Sequence, residues 1–319
     1  MASVLKSRAL GSIWGVCVCD ALGGPVQFLE QGSFEPIKGM EYVTPFQQPA
    51  GSYSDDGAMT QALAQSFIDS RGQYNHELSI EYFGDWLKNG RFSTTSYPWD
   101  VGLSTRVAVE MWRTYGTGNL EGTQRQVDTR LASENRSGNG SLMRIAPIGV
   151  VMWKETLVAQ EIAVRQGRVT HPALACLEAC EVYTDLLCRA MKGENKEQLC
   201  QALKYHQLKH NALVERLAQY STLADWVVKS SSNISSSGWV VDTLEVALWG
   251  LFKYDSFAEG ALAVVNLGGD SDTAGAVYGG IAGAIYGYES IPGIWIDVMQ
   301  NKREITDVAG KLADLSSHE

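Results

Sequence analysis

Basic residues are scarce in this chain of 319 residues, and their shortage limits what it can bind. Lysine and arginine number 26 against 36 aspartate and glutamate residues, which gives a formal net charge of −10. This balance argues against nucleic-acid binding, because phosphate backbones are held by basic patches. Any anionic ligand must therefore be held by local hydrogen-bond donors or by a metal ion.

Histidine and closely paired cysteine are scarce as well. The chain has five histidines, and none of its six cysteines forms a CxxC pair. Because zinc sites need such clusters, we expect no zinc site. We expect reduced, mostly buried thiols in a cytoplasmic protein. The six are Cys17, Cys19, Cys176, Cys180, Cys188 and Cys200.

Long apolar runs and strand patterns are also missing. The apolar N-terminal stretch is interrupted by Asp20 and has no clear cleavage site, so we predict neither a signal peptide nor a membrane-spanning helix. Alternating patterns, internal repeats and long polar linkers are absent, whereas helical spacing recurs in about a dozen segments. The sequence predicts an all-α fold with one compact domain over residues 1–319.

The segment 266–287 joins acidic residues to a helix of small residues. Asp270 and Asp272 stand one residue apart and are followed by Thr273. Carboxylates this close repel each other unless a cation or proton lies between them, and Mg²⁺ prefers oxygen ligands. The alternative is an acidic helix start that complements the helix dipole. The glycines and alanines that follow predict a helix whose backbone packs closely against its neighbours.

A second acidic pair, Asp55 and Asp56, lies roughly 200 residues earlier in the chain. Ser54 is placed to cap the helix that follows. The dipole explains one acidic pair at a helix start, but two pairs, each beside a hydroxyl residue, favour a metal site. A joint site requires the fold to bring the two helix starts together.

Residues 136–141 form a loop rich in glycine and small polar residues, followed by an apolar segment that we predict to be a helix. Such a loop exposes backbone N–H groups to an anion, and phosphate is its natural ligand. The same residues also form ordinary turns. Arg144 contacts a phosphate or pairs with a core carboxylate, and its spacing does not choose between the two.

Single residues elsewhere are candidates with structural alternatives. Asp100 is an acid or substrate contact, or a helix cap. His171 points into a cleft, or is a hydrogen-bonded structural histidine. Trp239 stacks on a base or ribose, or belongs to the core. His206 and His210, four residues apart, have no third ligand nearby and are interpreted as a solvated face.

Six stretches of the sequence match a known pattern: Gly15…Asp20-Ala-Leu-Gly-Gly-Pro25, Ser54-Asp55-Asp56, Gly138-Asn-Gly-Ser-Leu-Met-Arg144-Ile-Ala-Pro147, Thr170-His171, Gly238…Asp242-Thr-Leu-Glu245 and Gly269-Asp270-Ser-Asp272-Thr273. In this order along the chain, these motifs resemble the ADP-ribosylglycohydrolase family. The resemblance implies a compact orthogonal helical bundle with two Mg²⁺ or Mn²⁺ ions in a cleft. It also implies cleavage of the glycosidic bond between ADP-ribose and a modified protein or related conjugate, by attack of a metal-activated water on the anomeric carbon. We expect a monomer with no membrane partner.

Carried over to this chain, the resemblance assigns each side chain a role. The metal ligands would be Ser54, Asp55, Asp56, Asp270, Asp272 and Thr273. The catalytic carboxylates would be Asp55, Asp56, Asp100 and Asp270. The substrate would be bound by Gln27, Ser137, Gly138, Asn139, Gly140, Ser141, His171 and Trp239, with the loop 137–141 cradling the diphosphate.

The chain departs from the family at three positions. Cys19 replaces a glycine, and Gly57 replaces a threonine, which is expected to loosen the helix start. Gln27 replaces a glutamate associated with substrate gating and activation, and glutamine supplies neither a base nor a charge. All inferred ligands keep oxygen side chains, so a working enzyme is favoured. The alternatives are a non-catalytic ADP-ribose-binding or structural member of the fold, and an unrelated metal phosphohydrolase, in which Asp270 would follow a buried strand.

Overall fold

The computed structural model describes residues 2–317, and in that range the chain forms sixteen α-helices, short 3₁₀ turns and no β-strand. The predicted all-α fold is therefore confirmed. The helices are α1 (Ala2–Gly23), α2 (Asp55–Asp69), α3 (His76–Asn89), α4 (Leu103–Tyr115), α5 (Leu120–Leu131), α6 (Ala146–Val151), α7 (Thr156–Arg168), α8 (Leu174–Lys192), α9 (Lys196–Ala202), α10 (Asn211–Leu217), α11 (Leu223–Val228), α12 (Val240–Lys253), α13 (Phe257–Val265), α14 (Ser271–Tyr286), α15 (Gly293–Val298) and α16 (Lys302–Ser317).

Helices α1 and α14 pack against each other along glycine contacts at the centre of the molecule. A Cβ atom added to Gly15 would lie 2.1 Å from the carbonyl oxygen of Gly279, and one added to Gly279 would lie 2.0 Å from that of Gly15. Gly11 and Gly283 repeat the contact four residues away in each helix. Only glycine allows backbones to approach this closely. The predicted close packing of the small-residue helix is confirmed.

The register of these contacts shows that the two helices are antiparallel. Residue numbers rise along α1 from Gly11 to Gly15 while they fall along α14 from Gly283 to Gly279. At the far end of the pair, Gly23 lies against the carbonyl group of Ser271. The last turn of α1 therefore meets the first turn of α14, where the second acidic pair lies.

Helix α1 corrects the expectation that no segment has the length and composition of a membrane span. Ser3–Val26 reaches a mean hydropathy of 1.4, but 94 % of its apolar window is buried by the rest of the protein. A central core helix passes the same test as a membrane helix because both are apolar on all sides. Cys19, which replaces the family's glycine, is fully buried in this helix.

Residues 196–228 form three short helices separated by loops. His206 and His210 lie in one of these loops, so they do not share a helix face. His206 Nε2 lies 3.2 Å from Asp185 Oδ2, and His210 Nε2 lies 3.0 Å from Glu134 Oε2. The interpretation as a solvated face is wrong, because the side chains of His206 and His210 are only 8 % and 13 % exposed.

All six cysteines lie within the described range, where each is buried and none forms a disulfide. The prediction of buried free thiols is confirmed. Burial raises the pKa of Cys180 to about 11, so the thiol stays protonated at neutral pH.

Candidate functional site

The first acidic pair lies at the start of α2, where the helix cap differs from the expected one. Ser54 precedes the helix, but its side chain caps no backbone N–H among the described residues. The carboxylate of Asp20, in the last turn of α1, accepts hydrogen bonds from the N–H groups of Ser54 and Gly57 at 2.9 Å. The Ser54 hydroxyl donates to Asp56 Oδ2 at 2.9 Å. Ser54 therefore orients an acidic side chain, and Asp20 supplies the cap.

Gly57 does not loosen this helix start, contrary to the sequence expectation. Its N–H is held by Asp20, and a Cβ atom at this position would lie 2.6 Å from the ring of Tyr53. The Tyr53 ring occupies the space that a threonine side chain would need. Gly57 therefore leaves the space that the Tyr53 ring fills.

The second acidic pair lies at the start of α14. Gly268 and Gly269 precede it with φ angles of +67° and +64°, a conformation that glycine adopts without strain. Asp270 Oδ2 accepts a hydrogen bond from Asn139 Nδ2 at 2.7 Å. The hydroxyl group of Thr273 lies 3.5 Å from Asp56 Oδ2. The fold therefore brings together the two helix starts that the sequence separates.

Three carboxylates form a buried cluster where these elements meet. Asp20, Asp56 and Asp272 each offer an oxygen, and the three oxygens lie within 4.8 Å of one another. Asp56 Oδ1 and Asp272 Oδ1 are buried without a hydrogen-bond partner among residues 2–317. Unpaired, buried acceptors this close together suit a hard cation with oxygen ligands. The residues present therefore fit a divalent metal ion.

The pKa values of these carboxyl groups are also raised, which agrees with carboxylates buried close together. Burial, and then the charge of neighbouring carboxylates, raises the pKa of Asp55, Asp56 and Asp272 well above the usual range. Burial raises the pKa of Asp20 to about 7, although the N–H groups of Ser54 and Gly57 counteract part of that rise. A cation among these groups would favour their ionised forms.

Sequence reasoning assigned no role to Asp20. Its signal was the Asp20-Ala-Leu-Gly-Gly-Pro motif, which carries part of the family resemblance. Asp20 is 34 residues from Ser54 in sequence, so no spacing rule for helix caps could have paired them.

The cluster lies beside a cleft of about 330 Å³, a size within the range of small-molecule sites. Several predicted site residues line the cleft, whereas Ser54, Asp56 and Asp272 are buried behind them. The cleft is lined by Gln27, Phe28, Asp55, Asp100, Gly102, Leu103, Ser104, Thr105, Gly138, Asn139, Gly140, Met143, His171, Asp270 and Thr273.

Asp100 lines the cleft and is not a helix cap, because α4 begins at Leu103 and Gly102 takes the cap position. The Gln27 amide donates to Asp100 Oδ2 at 2.6 Å. Burial raises the pKa of Asp100, and the bond from Gln27 opposes that rise. The position that departs from the family therefore contacts a predicted catalytic carboxylate directly.

The loop 137–141 forms one wall of the cleft, but the helix after it begins at Ala146, later than expected. The N–H of Asn139 donates to Gly238 O and that of Val240 donates to Ser137 O, which pins the loop to the start of α12. Within the described chain, the N–H groups of Gly140 and Ser141 donate to no protein acceptor. Gly140 lines the cleft, whereas Ser141 is buried outside the lining. A free backbone donor at the cleft wall suits an anion.

Arg144 lies beneath this loop and contacts neither a carboxylate nor the cleft. It is fully buried, and burial lowers its pKa to about 10. Its guanidinium group donates to Gly140 O at 2.9 Å and to Thr170 Oγ1 at 2.8 Å. Both sequence alternatives for Arg144 are wrong, because the loop turns its own carbonyl group toward the arginine.

His171 lines the cleft next to this loop. A Cβ atom at Gly140 would lie 2.7 Å from its ring, so the loop needs glycine there. Thr170 Oγ1 accepts from Arg144 and lies 2.8 Å from His171 Nδ1. When the Thr170 hydroxyl donates to Nδ1, the proton of the neutral His171 ring is on Nε2. Burial, and then the charge of Arg144, lowers the pKa of His171 to about 3, so the ring is neutral.

The remaining predicted substrate residues are less exposed to the cleft. Ser137 is buried, and its hydroxyl has no partner in the described chain. The buried Ser141 hydroxyl lies 3.5 Å from Cys180 Sγ. Trp239 is outside the described cleft lining and lies partly buried beneath Arg216, with 5.8 Å between the guanidinium carbon and the ring centre. The structure brings the backbone of Trp239, but not its ring, to the site.

Comparison with known proteins agrees with this geometry. The sequence profile of the family described as ADP-ribosylglycohydrolase matches residues 1–319. The chain is 30 % identical to an ADP-ribosylarginine hydrolase, Tri1, of Pseudomonas putida (strain GB-1), over 96 % of this chain and 78 % of that protein. It is 28 % identical to the ADP-ribosyl-(dinitrogen reductase) glycohydrolase of Rhodospirillum rubrum, over 94 % and 92 % of the two chains.

A solved structure described as an ADP-ribosylglycohydrolase-related protein complex superposes with a TM-score of 0.81. It shares 31 % sequence identity with this chain, and the match covers 98 % of this chain and 99 % of that one. Sequence and fold agree over nearly the whole length. The chain therefore belongs to the ADP-ribosylglycohydrolase family.

Proposed function

We propose that the protein is a metal-dependent hydrolase that removes ADP-ribose from arginine side chains of modified proteins. The meeting of the two acidic helix starts beside a cleft carries this proposal. Membership of the family assigns the hydrolase class. The arginine linkage is supported by the relative named ADP-ribosylarginine hydrolase and by Asp100 in the cleft wall, whose carboxylate suits a cationic guanidinium group.

We further propose two Mg²⁺ ions as the metal centre, with Mn²⁺ as a substitute. Asp56 and Asp272 would contribute their unpartnered oxygens, and Ser54, Asp55, Asp270 and Thr273 would complete the ligand set. When bound, such ions would polarise substrate oxygens and lower the pKa of a water molecule. The protein itself supplies the buried arrangement of carboxylates that such ions require.

The rest of the cleft would bind and orient the substrate. The free N–H group of Gly140 would hold the diphosphate. His171 would add an uncharged N–H donor from Nε2. Overall, the bond between the anomeric carbon of the ribose and the guanidine nitrogen is broken by water. The hydroxyl group of the water goes to the anomeric carbon, and its proton goes to the nitrogen of the leaving guanidine. Asp100 would face the leaving group from the cleft wall.

The linkage is tested by measuring ADP-ribose release from a panel of substrates. Arginine-, serine- and O-acetyl-linked ADP-ribose are each incubated with the protein in Mg²⁺, and free ADP-ribose is quantified by mass spectrometry. We expect release from the arginine conjugate at least about tenfold faster than from the others. Faster release from serine or O-acetyl conjugates would contradict the arginine assignment.

A non-catalytic ADP-ribose-binding protein is the second candidate, and Gln27 in place of glutamate is the observation that favours it. For this second candidate, we expect no release of ADP-ribose from any substrate and tight binding of ADP-ribose by calorimetry. We also propose a monomeric, cytoplasmic protein. The six free, buried cysteines support the cytoplasmic location.

A further inference from the structure

Gln27 is buried in the cleft wall, and its amide has one hydrogen-bond partner. Only 3 % of the residue is exposed, and Nε2 lies 2.6 Å from Asp100 Oδ2. The amide oxygen, Oε1, has no partner within residues 2–317. The reverse amide orientation would bring two acceptors together, so Asp100 determines which way the amide points.

The backbone on either side of this contact is held in place. The N–H of Phe28 donates to Gly269 O at 2.6 Å, and the N–H of Gly269 donates to Leu29 O at 2.8 Å. The Gln27 segment is thereby attached to the loop that carries Asp270. Phe28 has a φ angle of +67°, which a bulky residue adopts only when its surroundings hold it there. Asp100 has a φ angle of +52°, in the left-handed region that aspartate tolerates.

We propose that Gln27 is a positioning residue that fixes the orientation of the Asp100 carboxylate in the cleft. A neutral amide can donate a hydrogen bond to a carboxylate, whereas an ionised glutamate cannot donate and would repel it. The departure from the family would then give this position a different use, as a donor to Asp100. This inference rests on the proposed function, because the oriented carboxylate would face the leaving group.

The proposal is tested with two substitutions of similar volume. Gln27→Met keeps the side-chain length and removes the donor, and Gln27→Glu restores the family residue. We measure kcat and KM with the arginine-linked substrate, the Kd for ADP-ribose by calorimetry, and the melting temperature of each variant. Crystal structures of the wild type and Gln27→Met show the orientation of Asp100.

We expect Gln27→Met to lower kcat about tenfold to a hundredfold, as for loss of a charge-assisted hydrogen bond, while the Kd for ADP-ribose changes less than about twofold. Asp100 should adopt a different orientation in the crystal. Gln27→Glu should also lower kcat, because the new carboxylate would face Asp100.

Several results would overturn the positioning role. A Gln27→Met variant with wild-type kcat, or one that loses kcat while Asp100 is unmoved, would show that Gln27 does not act through Asp100. Higher kcat in Gln27→Glu would show that glutamine is a handicap. A wild-type protein that releases no ADP-ribose would instead contradict the proposed function, so the two failures are distinguishable.

Discussion

Among single residues, Asp56 and Asp272 give the strongest evidence for a metal site. Each has a buried carboxylate oxygen with no hydrogen-bond partner within the described range. An unsatisfied buried acceptor destabilises a folded protein by about 1–3 kcal/mol, and more when it is charged. A structure tolerates such groups when a ligand satisfies them. The raised pKa values of both residues fit a site that needs a cation.

Substitution of Asp272 by asparagine should therefore have opposite effects on the metal-free and metal-loaded protein. We expect metal-free Asp272→Asn to melt a few degrees higher than the wild type, about 2–4 °C for each kcal/mol of relieved repulsion. The increase in melting temperature on adding Mg²⁺ should largely disappear. Differential scanning fluorimetry with and without Mg²⁺ measures both effects.

The matched control is Asp307→Asn, because Asp307 is exposed and pairs only at the surface with Lys311. Its effect should stay within about 0.5 kcal/mol. An undiminished Mg²⁺ response in Asp272→Asn would exclude Asp272 as a ligand.

Single residues also show how far the sequence could predict the site. The two acidic pairs were recognisable from local spacing, because each begins a helix next to a hydroxyl residue. The N-terminal cap of α2 was not recognisable from local spacing, because Asp20 reaches Ser54 from another helix. The contacts of Arg144 could not be predicted for a similar reason. Its partners, Gly140 O and Thr170, depend on how the loop folds back.

Among helices, the antiparallel pair α1 and α14 determines where the site forms. The glycine contacts fix the register, so the C-terminal turn of α1 meets the N-terminal turn of α14. Asp20 and Asp272 lie on those two turns, and the start of α2 supplies Asp56. The sequence could predict that α14 packs closely, but it could not identify α1 as its partner.

An alanine at this contact should therefore damage both the fold and the site. In Gly279→Ala, the new methyl group would lie 2.0 Å from Gly15 O, and the helices would have to separate. We expect a loss of about 3 kcal/mol or more in the free energy of unfolding. Urea denaturation measures this quantity, and calorimetry measures the accompanying loss of Mg²⁺ affinity.

Gly310→Ala in α16 is the matched control, because an added Cβ there meets no described atom within 4 Å. This change should stabilise the protein by about 0.5–1 kcal/mol through helix propensity. Equal effects of the two substitutions would show that the α1–α14 contact does not depend on glycine.

Over the whole molecule, the buried carboxylates couple stability to pH and to metal. Their folded pKa values lie above the unfolded value of about 3.9, and that of Asp20 lies at about 7. The contribution of Asp20 to stability is therefore fully present below about pH 4 and is lost as the pH rises through about 7. The contributions of Asp55, Asp56 and Asp272 are lost as the pH rises through their own raised pKa values. His76 and His171, whose pKa values burial lowers to about 4 and about 3, contribute the opposite slope.

The pH dependence that comes from the carboxylates can be separated from that of the histidines. The histidines contribute equally to the stability of the metal-loaded and the metal-free protein, so their contribution cancels in the difference. We expect the increase in melting temperature on adding Mg²⁺ to grow steadily from pH 5 to pH 8, as protons cease to compete for the cluster. Melting curves in chelator and in Mg²⁺ across this range test the prediction. A Mg²⁺ effect that is constant or declines with pH would contradict it.

At this scale, the sequence predicted the fold class, because helical periodicity and the lack of strand patterns are properties of the whole chain. It did not predict the breaks within residues 196–228 or the carboxylate partners of His206 and His210. Those features depend on packing between distant segments, which periodicity does not report.

The most direct test of the proposed hydrolase is the rate of ADP-ribose release from an arginine-ADP-ribosylated protein after chelator treatment, as Mg²⁺ is added back in steps. We expect no release in chelator, recovery that saturates with Mg²⁺, and a rate at least about a hundredfold lower for Asp272→Asn at every concentration. Full activity in chelator, or an Asp272→Asn variant as active as the wild type, would contradict a reaction that depends on the carboxylate cluster.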